Sequence, residues 1–75
     1  MERIELYEYI RRKTGSGAEA LRAEDPDRFA IIETEALRDL VVMNEIAGTG
    51  YEIIPGPHTA DNPECARLLS QAGIL

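Results

Sequence analysis

Residues 25–47, DPDRFAIIETEALRDLVVMNEIA, admit two readings, and the fold turns on which one holds. If Pro26 opens a single helix that runs to Ala47, Glu33 and Asn44 fall on its apolar face and Ile31 and Val42 on its far side. If Phe29 to Ile32 form a strand instead, the β-branched and aromatic residues suit a pleated surface and Glu33 sits at the strand's end. Thr34 then caps a helix over Glu35–Ala47. On that helix Ala36, Leu37, Leu40, Met43 and Ala47 form the buried stripe, with Arg38, Asp39 and Glu45 turned outward. The second reading removes most of the misfits and is the expectation carried forward.

Downstream, Tyr51-Glu52-Ile53-Ile54 reads as another strand, stopped by Pro55-Gly56-Pro57, which cannot continue a ladder. Asn62-Pro63 restarts a helix, with Asp61 or Asn62 as N-cap and proline in the first turn. Ala66, Leu69 and either Leu68 or Ala72 face the core, and Gly73 ends the helix. From residue 28 the order is therefore β-α-β-α, with parallel strands joined by a right-handed crossover.

Upstream, residues 2–13 read as a helix. Leu6, Tyr7 and Ile10 share a face, acids lie near the start, and Arg11, Arg12 and Lys13 near the end complement the dipole. Its rival is a strand, because Ile4, Leu6 and Ile10 also recur at even spacing, interrupted by Glu8. Gly15 stops the segment. Ser16 and Glu19 have capping-box spacing, which sets a short helix over Gly17–Glu24, and Asp25-Pro26-Asp27 forms a turn. The expected fold is one domain over residues 1–75, α+β or small α/β, with N-terminal helices ahead of the β-α-β-α unit. The alternative is an all-α bundle in which 26–47 is one helix.

The 75 residues hold fourteen acidic and eight basic side chains, a net charge of −6. This opposes nucleic-acid binding, which neutralises phosphates with basic patches. No run approaches the ~18 apolar residues of a membrane span, and no signal-peptide pattern opens the chain. A single cysteine permits no internal disulfide and no cysteine cage for zinc, which points to the reducing cytoplasm. A small core without staples points to an association surface, so a protein partner or a homo-oligomer is expected. Residues 41–75 carry four acids and one base, Arg67, and that charge-poor stretch is the expected surface.

Chemistry has two candidate locations. Cys65 falls in the first turn of the last helix, where backbone N–H groups favour a thiolate, although adjacent Glu64 opposes it. A buried cysteine packing as a small hydrophobe is the competing reading. His58, the one histidine, is its candidate proton partner. The second location is Lys13, Thr14, Ser16 and Gly17, where a cation, hydroxyls and glycine lead into a helix N-terminus suited to phosphate or another anion. A helix stop followed by a cap accounts for the same residues. Glu33 and Glu35 read as helix-start acids. No metal site and no cofactor are expected.

The run FAIIETEALRDLVVMNEIAGTGYEIIPGPHTADNPEC, residues 29–65, resembles the small selenium/sulfur carrier-like domain family. The resemblance is carried by Phe29, Ala36, Leu37, Gly50, Ile54, Pro55, Pro57 and Cys65. It implies a short strand, a helix, a glycine and a strand ending Ile-Pro-x-Pro, followed by a cysteine that carries sulfur or selenium. His58, Asp61, Asn62 and Ala66 depart from that pattern, and the spacing from proline to cysteine is one residue longer. Composition and motifs together give a small acidic accessory or protein-interaction subunit without catalysis of its own. A thiol carrier at Cys65 and an anion-binding module at Lys13–Gly17 are the alternatives.

Overall fold

The computed structural model describes residues 2–74. Strand β1 spans Arg3–Glu5 and runs directly into helix α1, Leu6–Thr14. Helices α2 (Ala18–Glu24) and α3 (Pro26–Val42) follow, and α3 continues as a wider π-helical turn over Met43–Ala47. Strand β2 (Glu52–Ile54), a 3₁₀ turn (Thr59–Asp61) and helix α4 (Pro63–Gln71) complete the order. The architecture is mainly helical, with one short two-stranded parallel sheet in which Arg3, Ile4 and Glu5 oppose Glu52, Ile53 and Ile54.

The single-helix reading of residues 26–47 is the one the structure adopts, so the expected strand over 28–33 and its Thr34 N-cap are both replaced. Asp25 caps α3 through its Oδ1, which accepts from the Arg28 N–H at 3.1 Å, and Pro26 supplies the first helical residue, where no N–H is needed. The buried face then repeats with helical spacing through Phe29, Glu33, Ala36, Leu37, Leu40 and Val41. Ile31 lies 61% exposed on the opposite side, as this helix demands. Thr34 sits inside the helix, its hydroxyl donating to the Ala30 carbonyl one turn back at 2.8 Å. The strand that the resemblance implies at Phe29 is likewise helix.

The parallel partner of β2 comes instead from the N-terminus. Residues 2–13 therefore divide between the two readings of that segment: Arg3–Glu5 pair as strand, and the helix starts at Leu6. The helix ends where Gly15 takes φ 78°, a left-handed conformation open to glycine, and returns its N–H to the Arg11 carbonyl at 2.8 Å. The capping box does not form. Gly17, which has no side chain to cap with, is the N-cap of α2, and the Ser16 N–H that the box would give to Glu19 is donated to the Thr14 hydroxyl.

One cluster of buried side chains joins the elements: Leu6 and Ile10 from α1, Leu37 and Leu40 from α3, Ile53 from β2 and Leu69 from α4. The Pro55–Pro57 loop closes over it. There the Tyr7 ring meets Phe29 edge-on, centroids 5.8 Å apart, and lies directly against Gly56. A Cβ at position 56 would fall inside the Tyr7 ring. Gly56→Ala is therefore expected to destabilise the fold by about 1–3 kcal/mol, the usual cost of overpacking. The cost should shrink in a Tyr7→Leu background, and urea unfolding of the two single variants and the double variant measures it.

Candidate functional site

The residues singled out for chemistry are drawn into the structure's own bonding. Cys65 is the third residue of α4, whose N-cap is Asn62; its side chain accepts from Glu64 N–H at 3.1 Å and Cys65 N–H at 3.4 Å. The thiol is 0% exposed, and its Sγ lies 3.7 Å from the Thr34 hydroxyl. Burial raises the thiol pKa, and the Glu33 and Glu64 carboxylates add to the rise, while the Thr34 hydroxyl offsets part of it. The helix start does not yield a ready thiolate here. His58 is half-buried at the head of the 3₁₀ turn, its Nδ1 3.8 Å from the exposed Asp61 carboxylate. Among the described residues, no hydrogen bond joins it to Cys65.

The candidate anion residues are similarly engaged. Lys13 Nζ reaches away from the glycines to Asp39 at 2.7 Å and lies 5.4 Å from the centre of the Tyr9 ring. The Thr14 hydroxyl donates toward the Ile10 and Ser16 carbonyls and accepts the Ser16 N–H. Gly17 begins a helix of only seven residues. Among the described residues no three His, Cys, Asp or Glu side chains converge as metal ligands, and no helix is long and apolar enough to cross a membrane.

What the structure assembles around Cys65 is a buried polar cluster that the sequence reading did not identify. Glu33, 2% exposed, accepts from the Thr59 hydroxyl at 3.2 Å and from the Asn62 amide at 3.4 Å. The same Asn62 amide group also approaches the Ala30 carbonyl at 3.1 Å and the Thr34 hydroxyl at 3.2 Å. Thr59 in turn accepts the Gly56 N–H at 2.9 Å. These bonds offset the cost of burying a carboxylate and fix the loop between β2 and α4 to the side of α3. The Tyr7 hydroxyl enters this neighbourhood but makes no hydrogen bond among the described residues. Its burial raises the phenol pKa, and the nearby Glu33 charge raises it further.

A second assembly lies on the other side of β2. An open groove of about 660 Å³ runs between the end of α3, β2 and the end of α4. Half-buried Ile54 and Ile74 supply its apolar surface over the buried Val41 and Ile53, and among the described residues Glu45 and Glu52 are its only charged side chains. Asn44, from the π-helical turn, closes one end. Its Oδ1 accepts the Tyr51 N–H at 2.8 Å, its Nδ2 donates to the Tyr51 carbonyl at 3.0 Å, and Thr49 adds a hydroxyl bond at 2.7 Å. The amide thus satisfies both backbone groups of Tyr51, as a neighbouring strand would.

The direction of each β2 peptide group follows from this. Glu52 donates its N–H to the Glu2 carbonyl at 2.8 Å, toward β1. Backbone groups of successive strand residues alternate in direction, so those of Tyr51 and Ile53 point away from β1. Tyr51 is met by Asn44. Ile53 directs its N–H and C=O to the groove side, and among the described residues neither has a hydrogen-bond partner. Asn44 on an apolar stripe was the one signal of this edge in the sequence, and there it counted as a misfit.

Both raised pKa values bear on stability. The folded chain holds the Cys65 and Tyr7 protons more tightly than the unfolded chain does, so this contribution is complete below the ordinary thiol value of about 8.5 and is lost as pH rises through the higher folded values. Stability should therefore decline above about pH 8.5 and again beyond about pH 10. Urea unfolding at stepped pH checks this, and Tyr7→Phe should remove the second decline. At neutral pH the same variant should change stability by no more than about 1 kcal/mol, because the hydroxyl it deletes is buried near the His58 backbone, Glu33 and Thr59 without a close hydrogen bond to any of them.

Comparison of the chain with protein-family models, curated proteins and solved structures finds no match to any of them.

Proposed function

We propose that this chain is a protein-interaction module, an accessory subunit that docks a partner in the groove beside β2. The observation that carries the reading is the groove itself: it sets half-buried Ile54 and Ile74 beside a strand edge whose Ile53 backbone groups have no hydrogen-bond partner among the described residues. Such surfaces are where extended segments of other proteins bind. The small core with one free cysteine and no disulfide is consistent with a subunit that works in a reducing compartment beside a larger partner. The burial of Cys65 favours docking over a carrier role, which needs an accessible thiol. The engagement of Lys13 by Asp39 likewise favours docking over anion binding.

Selection from a random peptide-display library tests the reading. Ala72 is exposed and lines the groove, so Ala72→Trp fills it with little effect on the core. Ile31→Ala alters a separate exposed face. Enriched peptides should bind the natural chain and the Ile31→Ala variant alike, and bind Ala72→Trp at least about tenfold more weakly, a loss of about 1.4 kcal/mol. Failure to enrich binders, or equal binding to all three chains, would overturn the docking role.

A further inference from the structure

Resting on that docking role, we infer that the groove takes an extended partner segment of alternating apolar and basic residues, bound by adding a strand to β2. The edge defines the occupant. The Ile53 N–H and C=O lie at the centre of the groove side, and a backbone passing there completes both bonds at once. The Asn44 amide already holds the preceding pairing position at Tyr51, so the added strand starts where that side chain ends. Pro55 has no N–H and offers only its carbonyl at the next position, so pairing stops there. A helix laid in the groove would leave the Ile53 groups covered and unbonded, which is costly.

Charge selects the segment further. Among the described residues Glu45 and Glu52 are the only charged ones lining the groove. Glu52 also meets the exposed Arg3 of β1 at 3.6 Å, which leaves Glu45 the acid without an ion-pair partner among the described residues. A segment with lysine or arginine between its apolar positions matches this lining. A second copy of this chain fits poorly, because its own groove would bring Glu45 and Glu52 to face the same two acids. The opposite edge of the sheet, along β1, is a poorer dock. Its cleft is smaller, about 270 Å³, and both signs of charge line it through Arg3, Glu5, Glu8 and Arg12. Charged side chains of this kind blunt an edge.

The test is a titration of the ¹⁵N-labelled chain with a blocked seven-residue peptide alternating valine and lysine. The Ile53 amide resonance should move downfield and its hydrogen exchange should slow. A glutamate-for-lysine peptide, a peptide N-methylated at its central amides, and the Glu45→Lys chain should each bind at least about tenfold more weakly, as expected for lost pairing or reversed charge. Shifts in the groove with an unmoved Ile53 amide would overturn strand addition while leaving docking intact. Equal binding of the glutamate peptide would overturn the basic specificity. No shift at millimolar peptide would overturn the inferred segment class, whereas docking stands or falls on the Ala72→Trp selection. A dimer seen by light scattering, with Ile53 protected before any peptide is added, would replace the partner segment by a second copy.

Discussion

Glu33 places a carboxylate in the middle of the stripe with which α3 packs, and the arrangement of the second half of the chain depends on the bonds it receives. A carboxylate there without donors would be prohibitively unfavourable. Thr59 and Asn62 supply them from the loop that follows β2. Each donor is committed in a second direction as well: Thr59 to the Gly56 N–H, and Asn62, through its oxygen, to the start of α4. One buried acid therefore sets the path of the Pro55–Pro57 loop, the entry of α4, and through α4 the burial of Cys65 and Leu69.

Much of the organisation was legible from residue patterns. Proline at the head of α4, the strand ending at Ile54 and the glycine stop at Gly15 all follow from local chemistry and the structure keeps each of them, and of the two cap candidates Asp61 and Asn62 it uses Asn62. The reading failed where tertiary partners decided the outcome. Glu33 and Asn44 counted against a single helix over 26–47 because their hydrogen bonds could not be seen in that segment. One is answered by residues 26 and 29 positions further on, and the other by Tyr51 across a turn. The same blindness left β1 as the rival to a helix over residues 2–13. Residues 3–5 have no strand pattern long enough to stand alone, and become a strand only because β2 lies beside them.

The candidate site divides along the same line. Cys65 was placed correctly on the first turn of a helix, yet a helix start alone does not determine whether a thiol meets solvent. Thr34, Glu33 and the packing of Leu69 decide that, and they bury it. The groove left no contiguous trace because its parts come from three separate segments. Its edge chemistry depends on alternation within a strand of three residues and on a single asparagine amide.

The parallel pairing of β1 with β2 carries a kinetic consequence. Their contact encloses α1, α2 and α3, so it is among the most sequence-distant in the chain and carries one of its largest loop-closure costs. The edge at Ile53 is then a property of the completed topology, absent from any partly assembled bundle. On the proposed docking role, a nascent or locally opened chain would offer no competent strand to a partner, and occupancy of the groove would draw the equilibrium toward the fully closed state. Under that proposal, recognition on this edge would report that the whole chain has folded.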